Sequence, residues 1–176
     1  IDTATCIIKN SGGCLRRFSI DNHYIIKDDT LNDSLNFIHI IYENCPLVEY
    51  LSLPIFPSSN KYFNEFEKLL KDCQKLKVLL LNVIDDYTKS NGIELLIILS
   101  RSAPNSLREI RLFDYITFSL ENLGEFFEKW RGQHPLSILT CDSTYGRKEY
   151  VDLIDKYKND GVIKDFKCVI GKDLYF

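Results

Sequence analysis

Methionine is missing from all 176 residues, tryptophan occurs once and histidine three times. A chain that opens at Ile1 without any Met reads as a fragment, a processed product or an excised domain. Long apolar runs are missing as well. The longest uncharged one, LLIILS at 95–100, falls far short of the roughly 20 residues that a bilayer crossing needs. No basic start followed by an apolar core marks a secretory signal, so the sequence predicts no contact with membrane. Positive charge is in short supply: 22 Lys and Arg stand interspersed with 25 Asp and Glu, for a net charge of −3. That balance excludes a general electrostatic grip on nucleic acid.

Reactive constellations are equally scarce. His39 falls in a helix pattern, while His23 and His134 fall in connecting segments on opposite sides of a strand, so the three do not converge. SGGCLRR (11–17) has two glycines but no phosphate-loop spacing and reads as a tight turn. The pairs Asp28-Asp29 and Asp85-Asp86 lack the spacing of a calcium loop. No GxSxG, HExxH or dinucleotide fingerprint occurs. The expectation is a protein without catalysis, cofactor or metal. Six cysteines are present, but no CxxC and no Cys/His cluster suggests zinc. Cys45, Cys73, Cys141 and Cys168 fall at recurring places in a repeat and read as small buried core residues. That reading implies a reducing compartment, cytoplasm or nucleus.

What the sequence does contain is periodicity. The template apolar-x-x-apolar-x-apolar fits Leu15/Phe18/Ile20, Val48/Leu51/Leu53, Leu76/Leu79/Leu81, Leu107/Ile110/Leu112, Leu136/Leu139/Cys141 and Ile163/Phe166/Cys168. The starts at 15, 48, 76, 107, 136 and 163 are 33, 28, 31, 29 and 27 residues apart. Each match suits a strand, because its last two apolar positions alternate with period two.

Helical patterns separate the matches. They cover 31–44, 62–73, 92–103, 119–130 (with Ser119 as N-cap) and 147–159, each with an apolar face at three- and four-residue steps. The segment 92–103 is apolar nearly all round and should be the most buried. Cys45-Pro46, Ala103-Pro104 and His134-Pro135 mark helix ends in equivalent places, since proline disfavours helix at the residue before it. Strand, turn, helix and return every 30 residues or so give a parallel sheet backed by helices, a solenoid in which each unit completes its neighbour's core. The whole chain, 1–176, then forms one α/β domain. Residues 1–13 are the helical remnant of a preceding repeat, 14–170 the repeats and 171–176 a tail.

The stretches LVEYLSL, LKVLLL and LREIRL resemble leucine-rich repeats of the longer, strand-plus-helix type, over about residues 14–170. The phrasing NCPLVEYLSL and APNSLREIRL is similar to the repeat halves of fungal F-box/leucine-rich-repeat proteins. This resemblance implies about six parallel strands on a concave side, helices on a convex side, and a role in recruiting the substrate of a ubiquitin ligase. The ligase scaffold would be a partner only where an F-box precedes the fragment.

Period two sends the residues between template positions to the concave face. A protein partner is therefore expected on Arg17, Tyr50, Ser52, Val78, Leu80, Glu109, Arg111, Phe113, Ile138, Asp142 and Lys167. An apolar centre bordered by charge suits protein recognition. Two alternatives belong to other classes: a small-ligand sensor, which would want clustered Lys and Arg on the sheet, and an inhibitor or scaffold unrelated to ubiquitin. The strand at 15–20 would be an unprotected edge, so self-association through the N-terminal edge is also expected.

Overall fold

The computed structural model describes residues 2–19, 30–55, 59–83, 92–113 and 116–169. Helices and strands alternate along all of it. The helices are α1 (Asp2–Asn10), α2 (Thr30–Asn44), α3 (Asn60–Asp72), α4 (Ile93–Ser102), α5 (Leu120–Trp130) and α6 (Lys148–Asn159). The strands are β1 (Arg17–Phe18), β2 (Tyr50–Ile55), β3 (Val78–Val83), β4 (Glu109–Phe113), β5 (Leu136–Thr140) and β6 (Ile163–Cys168), and a 3-10 turn covers Ser143–Gly146. The six strands make one sheet in the order β1-β2-β3-β4-β5-β6, every neighbouring pair parallel.

Local chemistry explains where the elements begin. Ser59 starts α3 by accepting a bond from the Tyr62 amide at 3.2 Å, and Ser119 starts α5 in the same way from the Asn122 amide at 3.2 Å. At the far end of α5, Gly132 turns the chain with φ +82°, a left-handed backbone that glycine adopts without a Cβ penalty. Because each strand lies beside its predecessor, the connections carry the helices back over one face, and each helix packs against the next in series. Half of the ten residues of α4 are buried, including Leu95, Leu96, Ile98 and Leu99, as its all-round apolar pattern predicts.

The interior under the helices is built from two files across the sheet. One runs Phe18, Leu51, Leu79, Ile110, Ile138 and Phe166. The other runs Leu53, Leu81, Leu112, Thr140 and Cys168. Into them pack Phe66, Leu69, Leu99, Phe126, Phe127 and Trp130 from the helices. The template placed Leu139 and Cys141 in these files, and that is corrected. On β5 the buried residues are Leu136, Ile138 and Thr140, while Ser137 and Leu139 are half-buried on the other face. LSILT carries apolar residues in both phases, so its own pattern does not choose between them. The pairing of Ile138 between Ile110 and Phe166 does.

Polar bonds tie the helix layer together. The Tyr42 hydroxyl on α2 donates to Glu65 on α3 at 2.9 Å. Glu67 on α3 receives Arg101 through two nitrogens, at 3.0 and 2.6 Å, and the Ser102 hydroxyl at 2.8 Å, both from α4. Chiefly because of the Arg101 bonds, with Lys71 and Ser102 adding, the Glu67 carboxyl is held down to about 2. Between α5 and α6, the Tyr157 hydroxyl donates to Glu128 at 2.7 Å. Along the edge where the strands begin, Glu49 joins three units, with Arg16 and Lys77 each 2.6 Å from its carboxylate. Lys77 first and then Arg16 lower its pKa.

The cysteines divide. None of the six forms a disulfide, and Cys45 and Cys73 are buried as expected. Cys141, just past the end of β5, is only half-buried, and Cys168 on the last strand, β6, is exposed. Among the described residues, no helix is long and apolar enough to cross a membrane.

Candidate functional site: the helix-free face of the sheet

On the face of the sheet that no described helix covers, the helix-free face, the side chains form rows fixed by strand register. The first row is Arg17, Tyr50, Val78, Glu109, Ser137 and Asp165. The second is Ser52, Leu80, Arg111, Leu139 and Lys167, and the third is Pro54, Asn82 and Phe113. Val78 and Leu80 are buried yet stand outside the main core cluster, which confirms that they point away from it.

Accessibility along the rows is uneven. Ser52, Leu80 and Asn82 are fully buried at 0% exposure, and Val78 is nearly so. These three positions from the expected list, Ser52, Val78 and Leu80, are therefore in the expected rows but offer no surface to a partner. Two further expectations are corrected. Ile138 belongs to the core file and is 4% exposed. Asp142 is 3% exposed, and its carboxylate is occupied: it accepts from the Thr144 amide at 2.8 Å and from the Thr117 hydroxyl, capping the 3-10 turn. Burial acts to raise the Asp142 pKa, but the bonds from Thr117 and Thr144 outweigh it and the net shift is downward.

Arg17 and Lys167 are exposed, and Tyr50, Glu109, Arg111 and Phe113 are half-buried. The face is thus closed at its centre and open in two stretches, a narrow one at the β1 end with Arg17 and Tyr50 and a wider one over β4, β5 and β6. Leu139 sits in the middle of the wider stretch, between Arg111 on β4 and Lys167 on β6. Ser137 sits beside it, between Glu109 and Asp165. Each flanking charge is held by a partner two residues away on its own strand. Arg111 Nε lies 2.6 Å from Glu109, and Lys167 Nζ lies 2.5 Å from Asp165. Lys167 is the main cause of a lowered Asp165 pKa, and Asp165 in turn raises that of Lys167. At the opposite end of the first row, the Arg17 guanidinium stacks 4.4 Å from the centre of the Tyr50 ring.

Apolar contact, hydrogen bonding and ion pairing are the chemistry on offer here. No group of three His, Cys, Asp or Glu capable of holding a metal converges among the described residues. Ser137 and Leu139 are the face residues that the template missed, and the alternative phase of LSILT was the signal for them. The buried stretch of the face also had a signal. VLLL at 78–81 is a continuous apolar run, the mark of a strand covered on both sides. No known family model matches the chain, and no curated protein matches it.

Proposed function

We propose that the chain is a leucine-rich-repeat solenoid that recognises a protein through the part of its helix-free face over β4–β6. In this reading it is the substrate-binding part of an F-box-type ubiquitin-ligase adaptor, working in cytoplasm or nucleus. The observation that carries the reading is the half-exposed Leu139, set between Arg111 and Lys167 and bordered by Glu109 and Asp165. An apolar anchor within a charged rim is the anatomy of a protein interface. The rim charges are already fixed by ion pairs on their own strands, so docking would order few side chains and lose little entropy. The ligase role rests on the resemblance of NCPLVEYLSL and APNSLREIRL alone, and on an F-box preceding these repeats in a longer protein.

The test compares the full-length protein with its Leu139→Arg and Arg111→Glu variants, captured from cells and quantified by mass spectrometry. Both variants should lose the same client protein while retaining the ligase scaffold and melting within about 5 °C of the wild type. An identical client set in all three samples rejects this face. Absence of any ligase scaffold from the wild-type capture rejects the adaptor role.

A further inference from the structure

The sheet ends in β1 on one side and β6 on the other, and no described strand lies along the outer edge of either. In an all-parallel sheet with strands in serial order, these two edges match in direction. A second copy's β1 can lie on β6 by repeating the step that lays β6 on β5. The register then specifies every neighbour. Asp165 of the first row meets Arg17, opposite charges on strands about 4.8 Å apart. In the core file Phe166 meets Phe18, and Lys167 meets the uncharged Ser19.

Burial at the two edges points the same way. Leu51 and Leu79, inside the file, are fully buried, whereas Phe18 and Phe166 at its ends remain partly open. Large aliphatic side chains stand open on both terminal helices, Ile7 on α1 at 55% and Val151 on α6 at 39%, although the inner helix α4 also exposes Ile93 at 39%. Lysines on an edge strand oppose such pairing, and β6 carries Lys164 and Lys167. Lys167 is neutralised by Asp165 at 2.5 Å, and Arg16, the cation that would approach Lys164, is held by Glu49 at 2.6 Å.

We infer that copies of this chain associate head to tail, β1 of one adding in parallel to β6 of another with Arg17 set on Asp165. The contact uses different surfaces on the two partners and does not close on itself. It therefore builds open ladders rather than a dimer.

Sedimentation at low salt over a concentration series reads this out. The weight-average mass of the wild type should climb through the dimer without a plateau. Arg17→Asp and Asp165→Arg each bring like charges together at the joint and should weaken association more than about tenfold. An equimolar mixture of the two variants pairs each reversed charge with an opposite one and should regain the wild-type ladder. Circular dichroism melts matching the wild type show that the variants are folded. A wild type that is monomeric at every concentration, a mass that stops at the dimer, or single variants that associate like the wild type would each overturn the proposal.

Discussion

Replacing Ile138 and Leu139 by alanine, one at a time, separates two registers that differ by a single residue. A one-residue slip exchanges the faces of every side chain on β5. Ile138 is 4% exposed and lines the interior with Leu96, Leu99, Ile110, Phe118, Phe126 and Phe166. Ile138→Ala removes three buried carbons, about 2.4 kcal/mol of transfer free energy at about 0.8 kcal/mol each. Incomplete collapse of the space left behind brings the loss to about 3–4 kcal/mol. For a chain of this length that lowers the melting temperature by about 10 °C. Leu139 is half-buried on the opposite face, away from the core file. Its truncation forfeits about half the transfer term and opens no internal cavity, so about 1 kcal/mol and about 3 °C are expected. Urea and thermal melts of both variants give the comparison directly. A Leu139→Ala variant that loses as much as Ile138→Ala, or more, refutes the register and with it the placement of Leu139 on the open face.

Acid should loosen the helix layer at Glu67. Its folded-state pKa is about 2 against an ordinary 4.5, so its contribution is complete above about pH 4.5 and disappears as pH falls toward 2. Glu67→Gln should cost about 1 kcal/mol at neutral pH, since Arg101 is half-exposed, and should flatten the stability profile in that acid window. Unchanged slopes in pH-dependent urea melts would deny the bridge. At the start of α4, a Cβ added to Gly92 would lie 2.5 Å from the ring of the buried Phe118. Gly92→Ala should destabilise by about 1–3 kcal/mol through overpacking, and an alanine variant as stable as the wild type contradicts that contact. In the buried part of the helix-free face, Asn82 Oδ1 has no hydrogen-bond partner among the described residues, and its amide donates to Ser52 Oγ at 3.4 Å. The double replacement Ser52→Ala/Asn82→Val removes both polar groups and should be neutral or stabilising by denaturant melt, whereas a loss above about 2 kcal/mol would show that the pair supports the fold.

Much of this fold is legible in the sequence because each unit repeats the same local logic. Prolines after helix ends, serine caps and apolar stripes place the helices to within a residue or two. Five of the six core positions in the first file, Phe18, Leu51, Leu79, Ile110 and Phe166, follow from the template alone. β5 escapes it because Leu136, Ile138 and Thr140 alternate with Ser137, Leu139 and Cys141, and both sets contain apolar members. Phase in such a strand is decided by neighbours, here Ile110 and Phe166. The site was legible as a set of rows but not as a surface. Val78 and Leu80 stand where period two puts them, yet they are buried, which the apolar run VLLL signals and period two does not. Asp142 reads as a charged rim residue until the bond from Thr144, two residues on, and the bond from Thr117, 25 residues earlier, enclose it.

The central claim is that six consecutive strands lie parallel in serial order with the Leu51–Leu79–Ile110–Ile138–Phe166 file in register. Backbone resonance assignment followed by measurement of couplings across hydrogen bonds tests it most directly. The account predicts couplings from the amide of Lys77 to the carbonyl of Glu49, from Arg108 to Lys77 and from Ser137 to Arg108, joining each strand to the one before it. Couplings that link non-consecutive strands, follow an antiparallel pattern, or place residue 139 opposite Ile110 would contradict it.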